Sequence, residues 1–438
     1  MSDDTTPVEL RLKRLLEHMG IDRAHFAGSG AQDYRGLVQT SPETLASLTL
    51  VSPGNLDPAI LQALDSRLLL IHGDQGPNSQ VVPRAQAQLK RAATLTLPGY
   101  VDASWSDVIA DRGEAMFDAL VAHIEAQPPL PVAQPQSSSG TTEGIRYQVR
   151  GSGPPLLLLP LALTPSQWEP LIERLSDRFC TILLGGAELG MVAQLEERAR
   201  TVWYQGMLRD LISAARLEPG QRVLEVGCGG GTVVRWLARH TAGANPIVGV
   251  DINRYLLNEA RALAEEQGLA DFIDLREGNA EDLPCSDGEF DVTLCVTVLE
   301  EGDADQMLRE LSRVTRSGGS VATMVRSVDL PWWVNVPVRP EIKVKAATIG
   351  SGGVAVRGCA DASLARRMSA AGLVDVDICP RLATIEPGPR LETALSRVRA
   401  VLSPAEVEEW QSAVRQAQAE KTLFIAQPYY CAVGRKPL

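Results

Sequence analysis

Short apolar runs at Ala24 to Ala27, Leu48 to Val51, Arg67 to His72 and Thr94 to Leu97 are separated by stretches of helical spacing, among them Val8 to Met19 and Gly113 to Ala126. Continuous runs of this length fit strands buried on both faces, and their alternation with helices predicts an α/β layer fold. The stretch from Gln127 to Thr142, rich in proline and serine, predicts an exposed linker. After it come Ile145 to Tyr147 and Pro155 to Leu161 as strands and Trp168 to Leu175 as a helix. A second series opens with the helical pattern Gln194 to Leu217. It continues with apolar runs at Val223 to Val226, Val248 to Asp251, Phe272 to Leu275 and Phe290 to Val296.

At 438 residues the chain exceeds what one core serves, so about two to three domains are expected. No window holds about 18 consecutive apolar residues, which predicts no membrane span. The acidic N-terminal residues are the reverse of a signal peptide, and seven cysteines without a C-x-x-C pair predict a reduced, cytoplasmic setting with no structural zinc. A formal charge of −12 disfavours a phosphate-backbone partner, because nucleic-acid affinity rests on clustered Lys and Arg. Small-molecule substrates remain.

The chemistry concentrates at residues 223–231, where Val-Leu-Glu-Val runs into Gly-Cys-Gly-Gly-Gly, and at Asp251, which ends the next strand. Glycine lets the backbone approach a ligand, and a carboxylate at a strand end accepts hydrogen bonds from ribose hydroxyls. NAD and S-adenosylmethionine both suit that layout. The dinucleotide pattern G-x-G-x-x-G fails at Thr232, whereas an acid followed by G-x-G-x-G is met by Glu225, Gly227, Gly229 and Gly231. Gly278 to Pro284 follows the third strand, Phe290 opens a fourth, and Arg316-Ser317-Gly318-Gly319 leads into a fifth.

Residues 197–330 resemble a class I S-adenosylmethionine-dependent methyltransferase of the ubiquinone/menaquinone C-methyltransferase-like kind. The resemblance implies a Rossmann-like sheet closed by a sixth strand, Val374 to Cys379, and a seventh, antiparallel one, Thr422 to Val433, with helices at Asp361 to Ala371 and Ala405 to Glu420. It implies that Glu225 faces the amino group or sulfonium, unless it is a capping acid. Asp251 takes the ribose, with Ile252 beside it. Asn279 and the Ala280 amide serve adenine, Glu281 lies in the same turn, and Cys228 contributes its main chain. Tyr204 contacts the methionine end or, like Trp203, fills the core. Where relatives carry a histidine after the fourth strand this chain has Glu301, so Glu300 and Glu301 are candidate bases or a helix-capping pair. His240 sits far along the helix after the glycine turn, away from such a role. The Asn/Asp-Pro-Pro-aromatic motif of amino-methylating DNA enzymes is missing, since Val298-Leu299-Glu300-Glu301 stands in its place. Trp332, Trp333, Arg339 and Lys343 lie where acceptor lids are built and fit a planar or anionic acceptor, or else the tryptophans are core. A protein that binds the cofactor without turnover is the alternative reading.

Residues 1–126 resemble the late half of an α/β-hydrolase and residues 143–190 its early half, in swapped order. The expected organisation is therefore a rearranged α/β-hydrolase-like domain built from both segments around a 127–142 linker, followed by the transferase from 191 to 438. The swap requires Pro155 to Leu159 to join the sheet that holds His25 to Ala27. Hydrolysis itself is disfavoured: the elbow tip falls on Gly30, Ser29 lies one position early, and Gly99 to Ser104, just past the last strand, contains no histidine to be oriented by Asp74. His123 fits a surface or packing role. A scaffold that covers or dimerises the transferase is the expected role, and a bifunctional hydrolase-transferase is the rival.

Overall fold

The computed structural model describes residues 6–438 except 30–34, 103–106, 136, 162, 351–353 and 386–387. The chain divides into two units, Met1–Glu196 and Glu197–Leu438. The division falls beyond residue 190, inside the helix Gly190–Arg200.

In the first unit the strands are β1 (Ala24–Gly28), β2 (Leu45–Val51), β3 (Leu68–Gln75), β4 (Ala93–Val101), β5 (Ser139–Thr142), β6 (Ile145–Arg150), β7 (Pro155–Leu158) and β8 (Cys180–Gly185). Among the described residues they form one sheet in the order β4-β3-β2-β1-β7-β8-β6-β5. β1 pairs in parallel with β7, His25 opposite Leu156 and Ala27 opposite Leu158, so the two segments of swapped order share one sheet. β1 and β2 are buried at every position, which explains their unbroken apolar character. Helix Val8–His18 buries Leu12, Leu15 and Leu16 with Phe26, Leu70 and Leu157. On the other face, Phe117, Leu120 and Ile124 of helix Val108–Glu125 join Trp168 and Leu171 against Ala27, Ile71 and Leu158.

The 127–142 segment departs from a plain linker. Ala133 bridges to Gly153, and Ser139–Thr142 forms β5, antiparallel to β6. Glu143 and Gly144, at φ 53° and 77°, make the two-residue turn between them, and left-handed geometry at both positions matches the twist of a hairpin. Alternating exposed serine and threonine suit an edge strand as well as a linker, so composition alone could not separate the two.

In the second unit the strands are β9 (Val223–Val226), β10 (Ile247–Asp251), β11 (Ile273–Glu277), β12 (Phe290–Val296), β13 (Thr315–Arg326), β14 (Trp333–Val334), β15 (Val374–Ile385) and β16 (Ile425–Arg435). The order is β11-β10-β9-β12-β13-β16-β14, with β15 on the other edge of β16. β16 runs antiparallel to both β13 and β15. β9 is central, with Glu225 opposite Gly249 on one side and Leu294 on the other. The helical pattern from Gln194 to Leu217 is broken in two: Thr201 is extended, at φ −70° and ψ 140°, and its hydroxyl donates to the Arg198 carbonyl at 2.6 Å. That bond offers the backbone a local alternative to continuing the helix. A further helix, Pro389–Val401, lies in a stretch where the sequence patterns give no element.

Candidate functional site

The glycine turn follows β9 directly. Gly227, Gly229 and Gly231 have φ of 73°, 51° and 75°, a region that side chains enter only with strain. A Cβ at Gly227 would stand 2.2 Å from Val298 Cγ2, so the turn is pressed against the segment that leaves β12. Cys228 is buried and offers the turn only its backbone.

Asp251 ends β10 beside this turn. Its Oδ2 accepts from the Gly229 amide at 2.7 Å and its Oδ1 from the Asn253 amide at 2.8 Å. Each oxygen keeps a further lone pair, so the carboxylate both clamps the glycine turn and presents acceptors to a ligand. Its pKa is raised, chiefly by burial. Ile252, next in sequence, leaves 67% of its surface exposed, an apolar face beside a polar clamp. Asn279 uses Oδ1 to accept from the Glu281 amide at 2.9 Å, and Ala280 beside it is half-buried. Glu281 itself accepts from the Asp303 amide at 2.8 Å, which gives it a part in holding the start of helix Ala304–Val314.

The carboxyl ends of β9 and β12 gather buried polar atoms that have no hydrogen-bond partner: Arg198 Nε, Trp203 Nε1, Tyr204 Oη, Glu225 Oε2 and Glu300 Oε2. Native interiors leave few such atoms, because each costs about 1–3 kcal/mol. Burial first, and the Asp251 charge second, push the Glu225 carboxyl up to about 8. Burial pushes the Tyr204 hydroxyl up to about 12. Arg198 stacks over the Tyr204 ring, 4.8 Å from its centroid, and donates to Thr297 Oγ1 at 3.4 Å. Thr297 holds φ at 56°, an unusual conformation for a β-branched residue and a mark of local strain at the strand end.

Glu300 is fully buried; Oε1 accepts from the Arg326 amide at 2.8 Å and lies 3.5 Å from Arg326 Nε. Burial raises its pKa, and partial burial raises that of the exposed Glu301.

The other predicted acceptor residues stand elsewhere. Trp332 is a core side chain, packed with Val334, Ile342, Leu395 and Trp410. Trp333 is exposed and stacks on Phe424. Arg339 pairs with Glu409 at 3.3 Å and reaches Glu406 at 4.0 Å, both on helix Pro404–Ala419, so its charge is already matched. Adjacent Trp332 and Trp333 looked like one aromatic surface in sequence, but Trp332, just before the short strand β14, is buried while Trp333, its first residue, is exposed. Sequence reasoning missed Arg198, Thr297 and Tyr429, whose meeting joins parts of the chain far apart in sequence; only Trp203-Tyr204 hinted at it. No group of His, Cys, Asp and Glu suited to a metal occurs among the described residues, and no helix there is long and apolar enough to cross a membrane.

Residues 224–323 match the family model described as a methyltransferase domain. The second unit carries a class I methyltransferase domain. S-adenosylmethionine is the cofactor of this domain class, and the residues present fit it: a glycine cradle that a Cβ would fill, an acceptor at Asp251, and an orphaned carboxylate oxygen on Glu225. The methyltransferase GfsG of Streptomyces halstedii is 34% identical over 117 residues, 26% of this chain and 41% of that protein. The ubiquinone/menaquinone biosynthesis C-methyltransferase UbiE of Vibrio campbellii is 32% identical over 117 residues, 26% of this chain and 45% of that protein. The chain thus spans less than half the length of these curated relatives. Among solved structures, the YcgJ protein from Bacillus subtilis matches at 19% identity and a TM-score of 0.38, over 53% of this chain and 99% of that one.

Proposed function

We propose that the protein transfers a methyl group from S-adenosylmethionine to a small organic acceptor, leaving S-adenosylhomocysteine. The observation that carries this reading is the convergence of five partnerless buried polar atoms on the glycine turn and the end of β12. When bound, the cofactor supplies a methyl group on a cationic sulfonium. Asp251 and the turn of Gly227, Gly229 and Gly231 hold its nucleoside part, Ile252 lines one face, and the Asn279–Ala280 turn borders the other. Glu225 meets the cationic end. A carboxyl that stays protonated up to about 8 in the free protein ionises once a cation faces it, so binding releases a proton as pH allows.

On the acceptor side, Tyr204 and Glu300 aim unpaired oxygens into the same region. Glu300, with its raised pKa and one free oxygen, takes the proton that leaves a hydroxyl, amine or carbon acid. The excess negative charge of the chain fits a small acceptor better than a nucleic acid. Positioning acceptor and methyl in a water-poor cleft supplies the main rate gain.

For the first unit we propose a rearranged α/β-hydrolase-like scaffold that does not hydrolyse. The joining of β1 to β7 supports the rearrangement. Against hydrolysis, both nitrogens of His72 face partners, Gly73 O at 2.9 Å and Thr96 Oγ1 at 3.1 Å, and Asp74 accepts from the Gly99 amide at 2.8 Å. Asp102, not a histidine, follows β4, and Gly30, the expected elbow tip, lies outside the described residues.

Calorimetric titration with S-adenosylmethionine, S-adenosylhomocysteine and NAD tests the reading. Micromolar binding of the two adenosyl ligands and none of NAD is expected. Absence of adenosyl binding would overturn it.

A further inference from the structure

Cys379 and Cys431 stand directly opposite each other on the antiparallel strands β15 and β16. Opposite residues on such a ladder share a face, with Cα atoms about 4.5–5.5 Å apart, inside the span of about 4.4–6.8 Å that a disulfide bridges. Their Cβ atoms, about 4.5–5.5 Å apart in such a pair, need to close by only about 1 Å. The other strand cysteines face no second sulfur in their ladders: Cys180 pairs with Pro155, and Cys295 with Val226 and Thr323.

The two sulfurs differ in access. Cys379 is half-buried, while Cys431 lies in the core with Tyr429 and Val433. Arg381 Nη1 donates to Cys379 Sγ, and the same guanidinium holds Asp210 of helix Val202–Ala215 at 2.9 Å. Negative charge that gathers on the Cys379 sulfur as it attacks therefore meets a fixed cation. Burial pushes the Cys431 thiol up to about 12, so it keeps its proton until an electrophilic sulfur stands beside it. An accessible sulfur beside a cation and a sheltered sulfur across the ladder suit the attacking and the resolving half of one oxidation.

We infer that Cys379 and Cys431 form a reversible thiol-disulfide couple, closed by hydroperoxides and reopened by thiols. The Cys379 sulfur attacks a peroxide oxygen; the S–O bond forms, the O–O bond breaks, and the thiol proton leaves with the departing hydroxide as water, which makes a sulfenic acid. The Cys431 sulfur then attacks Cys379; the S–S bond forms, the S–O bond breaks, and the Cys431 proton leaves with that hydroxide as a second water. The sulfurs lose two electrons and the peroxide gains them. A dithiol returns them by exchange through a mixed disulfide and is itself oxidised. Closure draws the Cys379 sulfur away from Arg381. Tyr429 stands opposite Arg381 and meets Trp203 at 6.1 Å, so the couple lies two residues along the ladder from the aromatic groups that border the cleft. The couple stands independently of the methyl-transfer reading, which makes no use of either cysteine.

The test uses the full chain, reduced with dithiothreitol, freed of it, treated with stoichiometric hydrogen peroxide, blocked with iodoacetamide and mapped by peptide mass spectrometry. The expected result is a linked pair of peptides carrying Cys379 and Cys431, short of two hydrogens, absent before oxidation and lost again on adding dithiothreitol. Cys285, the other half-exposed thiol, stands outside the strands and should stay unlinked. In Cys431→Ser the reaction should stop at a Cys379 sulfenic acid that dimedone traps, and in Cys379→Ser Cys431 should remain a thiol. The melting temperature of the parent should shift on oxidation and return on reduction, while that of Cys379→Ser stays the same in both states. The mapping of the parent decides the matter even if the buried Cys431→Ser variant does not fold. Recovery of both cysteines as alkylated thiols after oxidation, a Cys379 sulfinic acid beside a free Cys431, or linkage of either to another cysteine would overturn the inference.

Discussion

The two sheets of this protein use the same layering and differ in where their unmet polar groups stand. Every histidine except His240 belongs to the first unit, and three of them are tied into its framework: His25 to Ser47 at 2.8 Å, His72 to Gly73 and Thr96, His123 to the Arg67 carbonyl at 3.2 Å. Burial first, then the nearby His123 and Arg23, hold His25 down to about 4, so it stays neutral between β1 and its neighbours. Both units leave some buried atoms unmet, Thr49 and Asp102 among them in the first; in the second, Glu225, Glu300, Arg198, Trp203 and Tyr204 do so around the glycine turn and the strained Thr297. Layout alone therefore does not separate the two; the glycine turn beside which the second unit's unmet atoms stand does.

The largest effect that sharpens this contrast is expected from Gly227→Ala, which places a methyl group against Val298 in a left-handed backbone position. Cofactor affinity should fall more than about 100-fold, read by calorimetry, because the turn must rearrange to relieve both clashes. Wild-type affinity in that variant would mean that the turn does not shape the cofactor site.

Asp251→Ala should weaken S-adenosylmethionine binding by about 1–3 kcal/mol, roughly 5- to 150-fold, through loss of a charged acceptor. Because Asp251 also holds the Gly229 and Asn253 amides, a lower melting temperature should accompany the loss. Unchanged affinity would remove it from the site.

Glu225 gives a pH signature. Between its ordinary value of 4.5 and about 8 the folded protein keeps a proton that the unfolded chain has lost, so this group makes stability fall as pH rises through that window. Affinity for the cationic cofactor should do the reverse, rising by up to about tenfold per pH unit towards 8 as the carboxylate becomes available. Glu225→Gln should flatten both dependences, measured by calorimetry and thermal melting at pH 6 to 9. A wild-type affinity that does not change over this range would show that Glu225 does not face the cation.

The smallest effect belongs to the first unit. Ser29→Ala should shift stability by no more than about 0.5 kcal/mol and leave cofactor binding untouched. Ester cleavage by the parent that this change abolished would erase the distinction between the two units.

Much of the fold was legible locally. Buried strands such as β1, β10 and β12 announce themselves as apolar runs, and the glycine turn with Asp251 is a short-range pattern whose meaning survives translation into three dimensions. What was not legible depends on distant partners. Nothing near Arg339 in sequence reveals Glu409, nothing around Trp332 shows the core formed with Trp410, and nothing in residues 389–401 says that they fold into a helix facing Trp203. Thr201 could have been read as a helix break only by knowing that its hydroxyl turns back to Arg198.

The pairing of β1 with β7 bears on how the chain is made. β1 to β4 leave the ribosome first, with β1, buried on both faces in the finished sheet, standing as an open edge. Its second neighbour is synthesised only after β5 and β6, several seconds later at about 5–20 residues per second. During that interval His-Phe-Ala offers unpaired backbone to any other extended segment, so the nascent first unit is exposed to mispairing until residues 155–158 arrive. The second unit has open edges of its own: β9 waits for β12 until β10 and β11 are made, and β13 waits for β16. Slowed or chaperone-free synthesis should therefore lose protein through these open edges.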